Sequence, residues 1–200
     1  MTRPFKEKGF TLGRADLSTR VLVTAFLLCV LTGVSIAARQ YASRSGGFGP
    51  QSAKEWVLGN ESDESAEVFR VEKGKRELLA FTHDHIFSLA MVLFVVFHLV
   101  QLTPHTQRAK IALILVGFGG LTGTLGVPWW LQRAEEAEGG ARALLLIASG
   151  SALLASLAIG SLTILAEMWV LPARRRRRGE PEAPAANPMF PEGDARRSKG

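Results

Sequence analysis

The sequence predicts an all-α integral membrane protein, a bundle of four spanning helices with both termini cytoplasmic. Its 47% apolar content is gathered into four long blocks separated by charged connections, whereas a soluble domain of 200 residues would interleave the two. Each block reaches the ~17–25 residues that cross a bilayer core. Lys and Arg collect in alternate connections, and that alternation gives one consistent orientation.

Residues 1–19 carry Arg3, Lys6, Lys8 and Arg14 with little apolar periodicity, and the first span covers about 20–39. A basic start, an apolar run and the small residues Ser35 and Ala37 also fit a cleaved signal peptide. The run is long for one and more spans follow, so it reads as a retained helix. The single cysteine, Cys29, lies within it, so one chain can build neither a disulfide nor a cysteine metal cluster.

Residues 40–77 are rich in Gly, Ser and Glu, with charges nearly balanced, and read as a solvent-exposed outer loop. Phe48 and Trp56 are its candidate interface anchors, and EVFRVE a short strand or interfacial segment. No phosphate-cradling glycine motif or nucleophile elbow occurs in it. Nothing elsewhere resembles a hydrolase or kinase constellation, so the chain is not read as an enzyme.

The second span, about 78–102, reads LLAFTHDHIFSLAMVLFVVFHLVQL and holds His83, Asp84, His85 and His98. The remaining histidine, His105, follows just past it. Ionisable groups in a span are costly without a partner, which makes this helix the functional candidate.

The third span covers about 110–131 and carries glycines at 117, 119, 120, 123 and 126. Gly119 and Gly123 form a GxxxG step that admits close approach of another helix or a flat ligand. After the acidic connection QRAEEAEGGAR comes the fourth span, about 142–171. Its Ala148, Ala152, Ser156 and Gly160 recur every fourth residue and predict a packing seam onto a partner. Glu167, near its end, reads as an ion pair with the run Arg174–Arg178, or else as a proton gate with His98. Residues 172–200 lack apolar periodicity and are expected to be a disordered, basic cytoplasmic tail. The net charge of +6 follows from these membrane-flanking arginines and lysines rather than from a nucleic-acid surface.

Around an α-helix His83 and His98 stand about 60° apart and about 22 Å apart along the axis, so they cannot share an ion but can serve two sites at two depths. That two-level layout resembles four-helix b-type cytochromes, which hold paired haems between facing helices. The resemblance implies haem b with His83, His85 and His98 as ligand positions, and glycine on the neighbouring span making room for the macrocycle. The pattern departs in one respect: no other span has a histidine, which leaves Met91, Met168 or another subunit to supply a second axial ligand.

His83, Asp84 and His85 offer a separate metal site, for Zn²⁺ or Cu²⁺, provided the backbone is extended there. Thr82 or Asp84 as an N-cap would give that geometry. The plain alternative has these three solvated or paired with Arg142 or Glu138, and His98 bonded to Thr122, Thr124, Ser156 or Thr163.

The THDH opening of a span, its second histidine and closing proline, and the RVLVTAFLLCVLTG of span one resemble small four-helix bacterial membrane proteins related to respiratory haem proteins. The resemblance implies an accessory subunit of a membrane redox system in the bacterial inner membrane, multi-pass in the lipid bilayer and partnered by other membrane subunits. The alternative is a cofactor-free structural or assembly subunit.

Overall fold

In this computed structural model the described residues are 12, 15–45, 49–61, 63, 66, 69–133 and 136–171. The expectations for the basic start as far as residue 14, for Phe48 and for the 172–200 tail lie outside them. Among them are five helices and no strand: α1 Leu17–Ser45, α2 Pro50–Leu58, α3 Lys75–Gln101, α4 Gln107–Leu131 and α5 Glu136–Leu165. α5 continues through a π-helical turn, Ala166–Val170. The four long helices are each apolar and long enough to cross a membrane.

α5 is the hub, packing on each of the other four helices. Its closest neighbour is α4, because glycine removes the side chains that would hold the two backbones apart. A Cβ on Gly120 would stand 2.6 Å from the Leu153 nitrogen and 2.8 Å from the Ser149 carbonyl oxygen. A Cβ on Gly123 would stand 2.5 Å from that of Ser149. Gly117 admits the ring of Phe97 from α3, and Gly160 of α5 receives Val96, also from α3. Without a hydrophobic drive between helices in lipid, such close approach supplies the dispersion contacts that hold a bundle together. Leu93, Val96, Phe97, Leu121, Leu153, Leu157 and Ile164 fill the core between these helices.

The helix ends are tied in pairs. The Thr19 amide donates to Asp16 at 3.2 Å, and the hydroxyls of Ser18 and Thr19 bond to the same carboxylate, which caps α1. These hydroxyls, Ser18 first, hold the Asp16 carboxyl at about 2, below its usual 3.8. At the other end of the sequence, Trp169 Nε1 donates to Thr24 Oγ1 at 2.9 Å, and Arg20 donates to the Met168 carbonyl while lying 4.1 Å from the centre of the Trp169 ring. The start of α1 and the end of α5 therefore lie together at one end of the bundle. Glu167, within the π turn, is buried there, and its expected partners Arg174–Arg178 fall outside the described residues.

Lys110, the first-turn lysine of α4, is buried and donates to the carbonyls of Gln101 at 2.8 Å and Thr103 at 2.6 Å. A cation on the last carbonyls of α3 satisfies acceptors that the helix leaves open and complements its dipole. That contact locks the α3–α4 hairpin.

The 40–77 connection contains more structure than a solvent-exposed loop. α1 runs on to Ser45 and α3 begins at Lys75, and α2 lies between them. Pro50 opens α2, and Ala53 and Val57, one turn apart and fully buried, set it on Leu131, Ala143 and Leu146. The chain then turns at Gly59, whose φ of 75° suits glycine, and where a Cβ would come within 2.6 Å of the Glu72 nitrogen. The expected strand is not formed in the described part of EVFRVE. Residues there return by single bonds, Asn60 N–H to the Arg70 carbonyl at 2.9 Å and Lys73 N–H to the Val57 carbonyl at 3.0 Å, with an Arg70–Glu55 ion pair at 2.7 Å.

Candidate functional site

α3 carries three of the four histidines, and it distributes them to two faces. The helix is already two turns old at Thr82, its N-cap being Gly74 rather than Thr82 or Asp84. The backbone at 82–85 is therefore helical, which corrects the extended geometry that a shared HxH metal site requires. Residues two apart on a helix differ by about 200°, so His83 and His85 point to opposite sides.

His83 looks outward. Its side chain is 73% exposed, with Nδ1 3.2 Å from the Asp84 carboxylate. One turn at a time, His83, Phe87, Met91, Phe94 and His98 follow each other along the same exposed stripe. The spacing of four, four, three and four keeps all five within about 80° of arc. Phe94 and His98 stack at 5.9 Å. The hydroxyls of Thr122, Thr124 and Ser156 donate to carbonyls of their own helices instead of serving His98.

His85 faces the other way, into a cavity of about 330 Å³ between α1 and α3, beneath α2. α1 and α3 make little direct contact, which leaves this space. Gln40 and Tyr41 of α1, Trp56 of α2 and Phe81 of α3 line it with His85, and Thr124 and Gly150 close its floor. The His85 Nδ1 bonds to the Phe81 carbonyl at 2.8 Å, and the two rings lie 4.5 Å apart, tilted by 37°. Since a carbonyl only accepts, Nδ1 carries the hydrogen and Nε2 of the neutral ring is an acceptor. Trp56 meets Phe81 edge-on at 5.7 Å. Lys73, at the rim, pairs with Glu77 and lies 5.3 Å from the Trp56 ring centre. Next to it, Trp129 Nε1 donates to Thr82 Oγ1 at 3.1 Å, fixing α4 to α3. A larger cleft, about 640 Å³, opens outside the bundle between Lys73–Lys75 and Gln132–Arg133.

The other paired expectations resolve locally. Arg142 pairs with Glu138 one turn earlier on α5, and donates to the Trp130 carbonyl at 2.7 Å, away from the histidines.

Among the described residues the donor set does not complete a six-coordinate haem. Met168 is fully buried in the core, off the outward stripe. Met91 shares the stripe but lies on the same helix as both histidines, about 10 Å along the axis from His98, too far to be its axial partner. The His85 cavity lies at the small end of the ~300–1,000 Å³ range of ligand pockets, and does not admit a tetrapyrrole as it stands. Among the described residues no three His, Cys, Asp or Glu side chains come together as an ion would require.

The seam residues also divide. Ser156 and Gly160 are buried inside the chain, Ala152 is half-buried and Ala148 is exposed. Gly123 packs on α5, whereas Gly119 has no atom within 4 Å of its Cβ position. The packing residues that the spacing did not single out are Gly117 and Gly120, at three-residue intervals from Gly123.

A family of transmembrane helical domains matches residues 47–177, well over half of the chain. The chain belongs to that family. The match takes in α2 to α5 and leaves α1 outside. No curated protein and no solved structure matches the chain.

Proposed function

We propose that this chain is an accessory subunit of a redox system in a bacterial inner membrane, and that the outward face of α3 holds haem b or a metal ion jointly with a neighbouring membrane subunit. The observation that carries the reading is the alignment of His83 and His98 on one exposed stripe, at two depths, with only the Asp84 carboxylate close to His83. Imidazoles on a lipid-facing surface are costly, and a neighbour that ligates or covers them removes that cost. Such a group would supply one-electron chemistry, and the chain would hold it through the imidazole nitrogens.

A cytoplasmic position for the shared terminal end is supported by Arg108 in the α3–α4 hairpin. That hairpin lies at the same end of the bundle as the start of α1 and the end of α5, while basic and acidic side chains are balanced at the α2 end.

A cofactor-free assembly subunit using the same face is the second reading, favoured by Phe87, Met91 and Phe94, whose exposed apolar surface lies between the histidines.

The test is a visible spectrum, oxidised and dithionite-reduced, with elemental analysis, on the assembly isolated from its native membrane. The redox reading expects a Soret band that shifts on reduction, or bound metal, lost in His98→Ala or His83→Ala and kept in His85→Ala. A flat spectrum with no iron or copper overturns it. The assembly reading then stands or falls on Met91→Glu, which must abolish co-purification of the neighbour.

A further inference from the structure

The larger cleft, about 640 Å³, lies where α3 enters the bundle and α4 leaves it. Both helices are long and apolar enough to span, and both spans end here, Lys75 opening one and Leu131 closing the other. Trp129 lines the cleft and the exposed Trp130 follows it, and tryptophan settles at the depth of lipid headgroups. The cleft therefore opens at the level of the lipid phosphates.

Its polar groups divide into those already committed and those left over. Lys73 pairs with Glu77, the Gln132 amide nitrogen donates to the Lys73 carbonyl, and Trp129 Nε1 donates to Thr82. Lys75, Arg133 and Glu72 line the cleft as well, all three exposed, and no ion pair among the described residues involves them. Two positive charges and one negative charge are thus left around a space of headgroup size. A simple anion placed there would meet Glu72 as well as the cations, and a simple cation would meet Lys75 and Arg133. A group that joins a phosphate to a primary ammonium answers both signs at once.

We propose that this cleft binds the headgroup of a zwitterionic aminophospholipid, with its phosphate toward Lys75 and Arg133 and its ammonium toward Glu72. Leu79, one turn along α3 from Lys75, is exposed and offers the first apolar surface to the acyl chains. The site rests on none of the histidines, so its failure leaves the His83 and His98 reading untouched, and the reverse also holds.

The full chain in detergent is offered an equimolar mixture of phosphatidylethanolamine, phosphatidylcholine and phosphatidylglycerol with identical acyl chains, and the retained lipid is read by native mass spectrometry. Phosphatidylethanolamine should be retained about fivefold above either rival, because choline has no N–H to donate to Glu72 and glycerol has no charge to offer it. Glu72→Gln should erase the preference over phosphatidylcholine. The double variant Lys75→Gln with Arg133→Gln should lower retention of all three lipids. Gly74→Asp separates loss of the site from loss of the fold. A Cβ at Gly74 meets nothing within 4 Å, its φ is −68°, and α3 has no side-chain cap there. The new carboxylate should cap α3 and keep the unfolding temperature at least as high, while repelling the phosphate.

Equal retention of the three lipids by the wild type, a preference for phosphatidylglycerol, or unchanged retention in the double variant or in Gly74→Asp would overturn the proposal. So would displacement of the lipid by excess inorganic phosphate, which would assign the cleft to a free anion instead.

Discussion

Asp16 shows how one side chain can set the start of a span. Its carboxyl titrates at about 2 in the folded chain against 3.8 ordinarily, because the Ser18 and Thr19 hydroxyls and the Thr19 amide stabilise the charged form. A depressed acid contributes its stabilisation in full above its unfolded pKa and loses it as pH falls through the folded one, so the contribution is complete above about pH 4 and is lost as pH falls through about 2. The Thr19 amide resonance should follow that transition with a midpoint near 2. A midpoint near 3.8 would show that the hydroxyls do not hold the carboxylate. The histidines show a different lesson at this scale. His83 and His85 are neighbours in the sequence and in chemistry, and the HxH spacing invites a shared ligand. Once the helix begins at Lys75 they part, and His83 is joined instead with His98, fifteen residues away. Nothing local to THDH announces this, because the start of α3 is set by Gly74 and the bonds that bring the preceding chain back to α2.

Among the elements, α4 and α5 carry the largest share of the bundle's packing, and their contact depends on which glycines meet the hub. Gly120→Val should strongly destabilise the bundle in detergent, because the atoms in the way are backbone, at 2.6 and 2.8 Å, and cannot retreat. Overpacking of this kind costs about 1–3 kcal/mol or more. Gly119→Val, with nothing within 4 Å, should leave the unfolding temperature in detergent nearly unchanged. Equal effects of the two would contradict the α4–α5 interface described here. The richness of this span in glycine was legible in the sequence, as was the likelihood of close approach there. The choice of face was not, because a GxxxG step ranks pairs of residues without knowing where the neighbouring helix lies. The same limit explains Ala148. A strict four-residue ladder turns about 40° further at each step, so the row that is buried at Gly160 has rotated out of the contact by Ala148. α2 was missed for another reason: nine residues make too short a helix to hold alone, and only the burial of Ala53 and Val57 under Leu131, Ala143 and Leu146 stabilises it.

For the molecule as a whole, four spans and an all-helical bundle could be read from apolar block length alone, since lipid leaves the backbone few alternatives. The family match covers α2 to α5, and α1 packs chiefly on α5 from outside the matched stretch. By standing off α3, α1 creates the wall of the His85 cavity. The bundle thus has two histidine environments, one beside the cavity between α1 and α3 and one on the outward stripe, and the functional reading depends on that division. Oxygen accessibility of single spin labels, in a Cys29→Ser background reconstituted into liposomes, tests it directly. Labels at Phe87, Met91 and Phe94 should be open to lipid-dissolved oxygen, whereas labels at Leu93 and Val96 should be shielded. Shielded labels at 87, 91 and 94, with accessible ones at 93 and 96, would mean that α3 is rotated by about half a turn, and that His83 and His98 face the interior.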